Sequence, residues 1–345
     1  MPAALRAHLL EGQVIPALPL ALGRSRRWDE RRQRAVVRYY KDAGAGGLAV
    51  GVHSTQFAIR EPRHGLFEPV LALAAAEARS WRRGRAPFAL IAGLCGRTPQ
   101  AVQEARTAVG LGYDAGLLSL GAWARDDERA VLAHCRAVAR EIPLVGFYLQ
   151  PAVGGRVLTH AFWRRFAEIP EVVAIKIAPF HRYRTIDVVR AVLEVGRDDV
   201  ALYTGNDDHI LGDLLTPFTF GGRTRHITGG LLGQWGVWTE RAVALLAEVK
   251  RARRRGSLPT SWLGRNAALT DANAAIFDAA HGFAGCLPGI HEVLRRQGLF
   301  ATNVCLDPHE RLSPGQAREI TRVAAAHPWL VDDDFVAGHL DRWLA

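Results

Sequence analysis

Lysine is almost missing from this chain. Of its 44 basic residues only Lys41, Lys176 and Lys250 are lysine, the rest being arginine, so each lysine stands where arginine was not used. Cysteine is sparse as well. Cys95, Cys135, Cys286 and Cys305 include no Cys-x-x-Cys pair, which argues against a zinc knuckle or a disulfide framework and favours free thiols. No apolar run reaches the roughly 18 residues needed to cross a bilayer. The N-terminus, MPAALRAHLLEGQVIPALPLAL, lacks the basic start, apolar core and small-residue cleavage site of a signal peptide. The expectation is a cytoplasmic protein with no membrane partner.

The net charge of +10 raises the question of nucleic acid. The arginines are spread along the chain, however, and no basic stretch is interleaved with aromatics. The densest run, 250–255, closes a helical pattern that begins near Trp238, where cations complement the helix dipole. We expect no nucleic-acid partner. With 49% hydrophobic and 23% charged residues the composition is that of an ordinary folded protein.

Eight short, near-continuously apolar runs mark the first three quarters of the sequence: QVIPAL (13–18), GLAVGV (47–52), FALIAG (88–93), AGLLSL (115–120), PLVGFY (143–148), VVAIKI (172–177), VALYTG (200–205) and HITGGL (226–231). Such runs suit parallel strands buried on both faces. Between them lie segments with apolar residues every three or four positions, among them 98–112 and 126–142, which open on Thr98-Pro99 and Asp126-Asp127, good helix-start chemistry. Eight strand–helix units in series predict an α/β fold, a (β/α)8 TIM barrel over 1–256. No G-x-G-x-x-G follows the first strand, which disfavours an open doubly wound sheet. Residues 257–345 read as helix upon helix, a C-terminal helical extension packed on the barrel.

Barrel enzymes place their chemistry at the C-terminal ends of strands. Lys176 stands near the end of the sixth run, between Ile175 and Ile177. Desolvation there disfavours the ammonium and lowers its pKa, and a neutral primary amine is what attacks a carbonyl to form an imine. A cation snorkelling from the barrel would serve equally as arginine. Tyr148 ends the preceding run and is the candidate proton shuttle, the alternative being a barrel tyrosine bonded to backbone.

These residues also carry a resemblance. YLQP (148–151), VAIKIA (173–178), TGNDD (204–208), IAGLCGRTPQAVQEA (91–105) and AGAGGLAV (43–50) match, in order and spacing, the pattern of the dihydrodipicolinate synthase and N-acetylneuraminate lyase family of class I pyruvate aldolases. The resemblance implies a Schiff base at Lys176, proton relay through Tyr148, an α-keto acid substrate and a homo-oligomer, a dimer or tetramer. It implies no cofactor.

The chain departs from that pattern in three places. VHSTQ (52–56) stands where the family has its Gly-Thr-Thr-Gly-Glu carboxylate loop, so Ser54 takes the hydroxyl relay and His53 and Gln56 become substrate-binding candidates. Trp123 replaces the relay tyrosine after the fourth strand and becomes an apolar wall. Val153 stands where dihydrodipicolinate synthases carry an arginine for a second carboxylate. A different second substrate is expected. Asn206 and Asp207 are candidates for substrate hydroxyls or for helix capping, and Ile227 for backing the imine. Asp207 and Asp208 have no third ligand at metal spacing, so no metal is expected. Two other readings remain: a phosphosugar barrel using Arg223 and Arg225 of FTFGGRTRHITGG (218–230), and an inactive barrel that binds keto acids as a sensor. The tract 285–316, with His291, Glu292, Asp307 and Glu310, reads mainly as caps and turns.

Overall fold

The computed structural model describes residues 2–81 and 87–345. Its strands are β1 (Val14–Pro16), β2 (Gly47–Val50), β3 (Ala89–Leu94), β4 (Ala115–Leu118), β5 (Leu144–Leu149), β6 (Val172–Ala178), β7 (Ala201–Thr204), β8 (Phe218–Phe220), β9 (Arg223–Arg225) and β10 (Gly229–Leu232). The helices are α1 (Pro2–Leu10), α2 (Glu30–Asp42), α3 (Phe67–Ser80), α4 (Thr98–Gly110), α5 (Glu128–Ala139), α6 (His160–Ala167), α7 (Arg182–Val195), α8 (Ile210–Leu215) and α9 (Thr239–Arg254). After α9 come α10 (Ser261–Ile276), α11 (Cys286–Arg296), α12 (Gln316–Ala326), α13 (Asp333–Ala337) and α14 (Leu340–Leu344).

Eight strands form one sheet in the order β1-β10-β7-β6-β5-β4-β3-β2, and Ala17 bridges Ala49 in parallel. The fold is a (β/α)8 barrel with C-terminal helices. Each of the eight apolar runs supplies one of its strands. The seven residues of β6 and six of β3 are all buried, which is why these runs show no period-two alternation. Two elements differ from the sequence reading. Residues 2–10 form α1, and the glycine-rich stretch at 218–225 is an antiparallel hairpin, β8 paired with β9. Its two-residue loop, Gly221-Gly222, has φ of +55° and +74°, the conformation that primed hairpin turns require and glycine supplies. Among the described residues no helix is long and apolar enough to cross a membrane.

The chain divides into two compact units, Met1–Gln13 with Ala89–Leu231, and Val14–Phe88 with Leu232–Ala345. In the first, the Tyr203 hydroxyl donates to Leu9 O at 2.8 Å and accepts from Gln13 N at 3.1 Å, fastening α1 to β7. In the second, Asp332 accepts from Tyr39 Oη at 2.7 Å, Gln297 Nε2 at 2.8 Å and Glu240 N at 3.1 Å. That buried carboxylate ties α13's start to α2 and α9.

Candidate active site

Lys176 lies on β6, 8% exposed. Its ammonium sits 4.5 Å over the Phe147 ring. Burial draws its pKa down to about 8, against which the nearby Asp207 carboxylate pulls upward. Asp207 is itself 8% exposed. Gly205 sets the width of the slot. A Cβ there would stand 2.7 Å from Lys176 Cε and 2.7 Å from Ala178 Cβ.

The β5–β6 register decides which neighbours the lysine has. Leu144 pairs with Val172, but Val145 pairs with Ala174, leaving Val173 without a partner. An unbroken ladder from Leu144 would put Tyr148 beside Lys176. The extra residue puts Phe147 there instead, and Tyr148 beside Ile177. Neighbouring paired residues in a sheet share a face, so a shift of one exchanges faces. Tyr148 accordingly packs on Trp163 of α6, ring centroids 5.1 Å apart. Its hydroxyl donates to Leu158 O at 3.1 Å and accepts from Leu158 N at 3.2 Å. The structure thus does not bring the Tyr148 hydroxyl to Lys176.

The turn after β7 is held by a polar cluster that sequence reading missed. Asp213, fully buried, accepts from Thr204 Oγ1 at 2.6 Å and Asn206 Nδ2 at 2.8 Å and pairs with Arg182. Asn206 Nδ2 also donates to Thr185 Oγ1 at 3.2 Å, and its Oδ1 accepts from Phe180 N at 2.9 Å. The side chain neither caps α8, whose N-cap is His209, nor keeps an unused amide group for substrate. It ties the backbone after Lys176, at Phe180, to the residue that precedes Asp207. Asp213 lies in the first turn of α8, and its sequence neighbours carry no signal that it turns inward. Asp213→Ala should remove a buried charge partner at a cost of about 3–5 kcal/mol, read as a fall in chemical-denaturation midpoint. An unchanged midpoint would show that the cluster carries no stability.

Trp123 is clamped at the edge of the first unit. Arg97 lies 4.4 Å over its ring, His134 stacks on it at 4.6 Å, and Nε1 donates to Gly96 O at 3.3 Å. Burial, reinforced by the Arg97 charge, lowers the His134 pKa to about 4. Ile227 is fully buried.

In the second unit, His53, Ser54 and Gln56 follow β2. His53 is partly exposed, its ring 6.1 Å from that of Phe57. Ser54 is 4% exposed, and a Cβ on Gly233 would lie 3.6 Å from its Oγ. Thr55 is a backbone staple, its Oγ1 donating to Leu18 O at 2.7 Å and accepting from Gly51 N at 3.0 Å. Gln56 has φ +67°, uncommon for a non-glycine. Its Oε1 accepts from Leu306 N at 2.6 Å, while the buried Nε2 has no hydrogen-bond partner among the described residues. His291 and Glu292 are internal: burial lowers the histidine to about 4, and Glu292 is held by Arg295 and Arg296 at 2.8 and 2.9 Å. Among the described residues no three His, Cys, Asp or Glu side chains are placed to hold a metal.

Arg223 and Arg225 do not form a phosphate cradle. Arg223 bonds Leu193 O at 3.0 Å and Asp198, and Arg225 bonds Arg197 O and Val200 O at 2.9 Å each. Both are spent at the start of β7, the end of the strand opposite Asn206.

No family model matches the chain. Its sequence is 32% identical to the 4-hydroxy-tetrahydrodipicolinate synthase of Macrococcus caseolyticus over 130 residues, 37% of this chain and 42% of that relative. The match therefore spans less than half of the relative's length. Among solved structures, the dihydrodipicolinate synthase of Oceanobacillus iheyensis superposes with a TM-score of 0.73 at 15% identity, covering 95% of this chain and 99% of the other. The N-acetylneuraminate lyase of Fusobacterium nucleatum complexed with pyruvate gives 0.71 at 17% identity, covering 93% and 98%. At such identities the structures share the fold alone. The chain is thus similar over part of its sequence to a 4-hydroxy-tetrahydrodipicolinate synthase, and in its fold to a dihydrodipicolinate synthase and an N-acetylneuraminate lyase.

Proposed function

We propose that this chain is a class I lyase, aldolase or synthase that forms an imine between Lys176 and pyruvate or a related α-keto acid. One observation carries the reading: a buried amine near the C-terminal end of a barrel strand, with its pKa lowered to about 8 by burial. About a tenth of the amine is then neutral at pH 7, against well under a hundredth for an ordinary lysine, and the neutral amine is the form that attacks carbonyls. The similarity to enzymes named for dihydrodipicolinate synthesis, and to a lyase complexed with pyruvate, supports the choice of carbonyl.

In the proposed reaction Nζ adds to the keto carbon and the carbinolamine loses water. The resulting iminium draws electrons from the adjacent carbon, whose proton leaves to give an enamine. Addition of the enamine to an aldehyde forms the new carbon–carbon bond, hydrolysis frees the amine, and the reverse sequence is the lyase direction. Asp207 is the carboxylate whose charge reaches Lys176, and we assign it the holding of protons or of a substrate hydroxyl. Ser54 and Gln56 Nε2 are the donors that the turn after β2 offers a carboxylate, with His53 beside them. Trp123 and Val153, in place of a tyrosine and an arginine, favour a second substrate other than that of dihydrodipicolinate synthase. A homo-oligomer belongs to the same proposal, and sedimentation velocity tests it.

The decisive experiment is borohydride reduction with pyruvate and other α-keto acids, followed by peptide mapping. An adduct on the Lys176 peptide is expected; no adduct with any keto acid would overturn the reading. An adduct without turnover on any aldehyde would favour the sensor. For Tyr148 the hydroxyl's bonds to Leu158 predict a structural part. Tyr148→Phe should cost about 1–3 kcal/mol of stability and leave turnover within about tenfold, or 1.4 kcal/mol of barrier. A loss of roughly 10²- to 10⁴-fold, the scale of general acid–base catalysis, would return the phenol to the proton relay.

A further inference from the structure

Within the second unit a cavity of about 480 Å³ lies between α10 and the start of α12. Ala274, Ala275 and Pro314 give it apolar walls, and His281, Arg318 and Arg322 stand among its polar lining. Asp278 organises one side. Its backbone is left-handed, φ +58°, a conformation that costs a non-glycine residue energy and recurs at ligand-binding turns. Its carboxylate, 3% exposed, accepts from Gly285 N at 2.9 Å and Ser313 Oγ at 2.5 Å and meets His281 Nδ1 at 2.6 Å. That contact fixes the imidazole and leaves Nε2 unbonded among the described residues, on a side chain 47% exposed. The opposite side is held by Gln316, 3% exposed, whose Nε2 donates to Ile276 O at 3.1 Å and Gly285 O at 3.0 Å.

The cations of the lining are not equivalent. Arg322 is spent on Asp271 at 2.8 Å and Glu319 at 2.8 Å. The Arg318 guanidinium has no ion pair or side-chain hydrogen bond among the described residues. One unspent guanidinium, beside a Glu319 already paired with Arg322, balances a single negative charge; a phosphate dianion would need more. We propose that this cavity binds a small monocarboxylic acid, its carboxylate on Arg318, beside the His281 ring, and its apolar chain against Ala274 and Ala275. The proposal does not depend on the chemistry assigned to Lys176.

Butyrate titrated into the full chain at about pH 6 tests it. The readouts are calorimetry and the His281 ring signals, assigned by loss in His281→Asn. Expected are saturable one-site binding, a shift of the His281 signals and a weakening of roughly tenfold or more in Arg318→Gln, the scale of a charge-assisted hydrogen bond. Arg318 is exposed, so its replacement leaves the fold intact. The Lys176→Met protein should bind butyrate equally well. Absence of a saturable His281 shift, or undiminished binding in Arg318→Gln, would overturn the site. Displacement of butyrate by equimolar inorganic phosphate at about pH 8, where phosphate is the dianion, would overturn the carboxylate assignment.

Discussion

Lys176→Met should abolish the borohydride-trappable adduct and lower turnover by roughly 10⁴-fold or more, the scale on which removal of a covalent nucleophile is felt, while making the protein more stable. The two effects share one cause. Lowering an amine from the ordinary 10.5 to about 8 means that the fold carries an unfavourably buried ammonium at neutral pH, at a cost of about 3 kcal/mol at 1.36 kcal/mol per pKa unit. Between those two pH values the unfolded chain binds more protons than the folded one, so stability rises with pH there and the penalty is fully present below about 8. Methionine fills similar volume with no charge to desolvate. Its gain should therefore be full at pH 7 and vanish above about pH 10.5. Denaturation midpoints of both proteins at pH 7 and 10.5, with adduct mapping, check this. A variant less stable than the parent at pH 7 would show that the ammonium is well solvated, and would remove the ground for calling it reactive. Trapping in the parent should likewise quicken as pH rises through about 8 and then level. A flat profile from pH 6 to 9 would deny the amine its role.

The sequence made the barrel legible because parallel strands buried on both faces are written as short unbroken apolar runs, and all eight were there. It singles out Lys176 as the proposed nucleophile for a different reason: scarcity of lysine, together with the rule that barrels work at strand ends. Tyr148 shows where that legibility stops. The spacing from Tyr148 to Lys176 fits an unbroken ladder starting at Leu144 and Val172, and the unpaired Val173 shifts it by one residue. Nothing in EVVAIKI distinguishes a ladder with an extra residue from one without. Side-chain parity is a property of two strands, and one strand's sequence cannot state it. The partners of Asn206 are likewise not written in its neighbourhood. A polar residue after a strand reads as available to ligand or cap, yet its partners are Thr185, Phe180 and Asp213, from 7 to 26 residues away. The hairpin at 218–225 is the opposite case, since the Gly221-Gly222 pair between FTF and RTR is a turn signal that a search for barrel strands passes over.

Gly205→Ala should cut turnover by about 10²-fold, the scale of an ångström-sized misplacement, although the substituted residue touches no substrate. Gly205 N donates to Ile177 O at 2.7 Å, so the two backbones cannot separate without losing that bond. The new methyl would meet Ala178 Cβ and Lys176 Cε at 2.7 Å and Lys176 Cγ at 3.1 Å. Ala178 is a strand residue with no torsion to yield, so the lysine must move, carrying Nζ from its place over Phe147. Overpacking of this kind adds a stability cost of roughly 1–3 kcal/mol, which a denaturation curve reads separately. The diagnostic is the pairing of results: slower trapping of the imine and lower turnover in protein that is still folded. Trapping at the parental rate, with only stability reduced, would mean that the amine tolerates displacement and that Gly205 serves packing alone. Slowed trapping would instead make the glycine of TGNDD the residue that gives Lys176 its room.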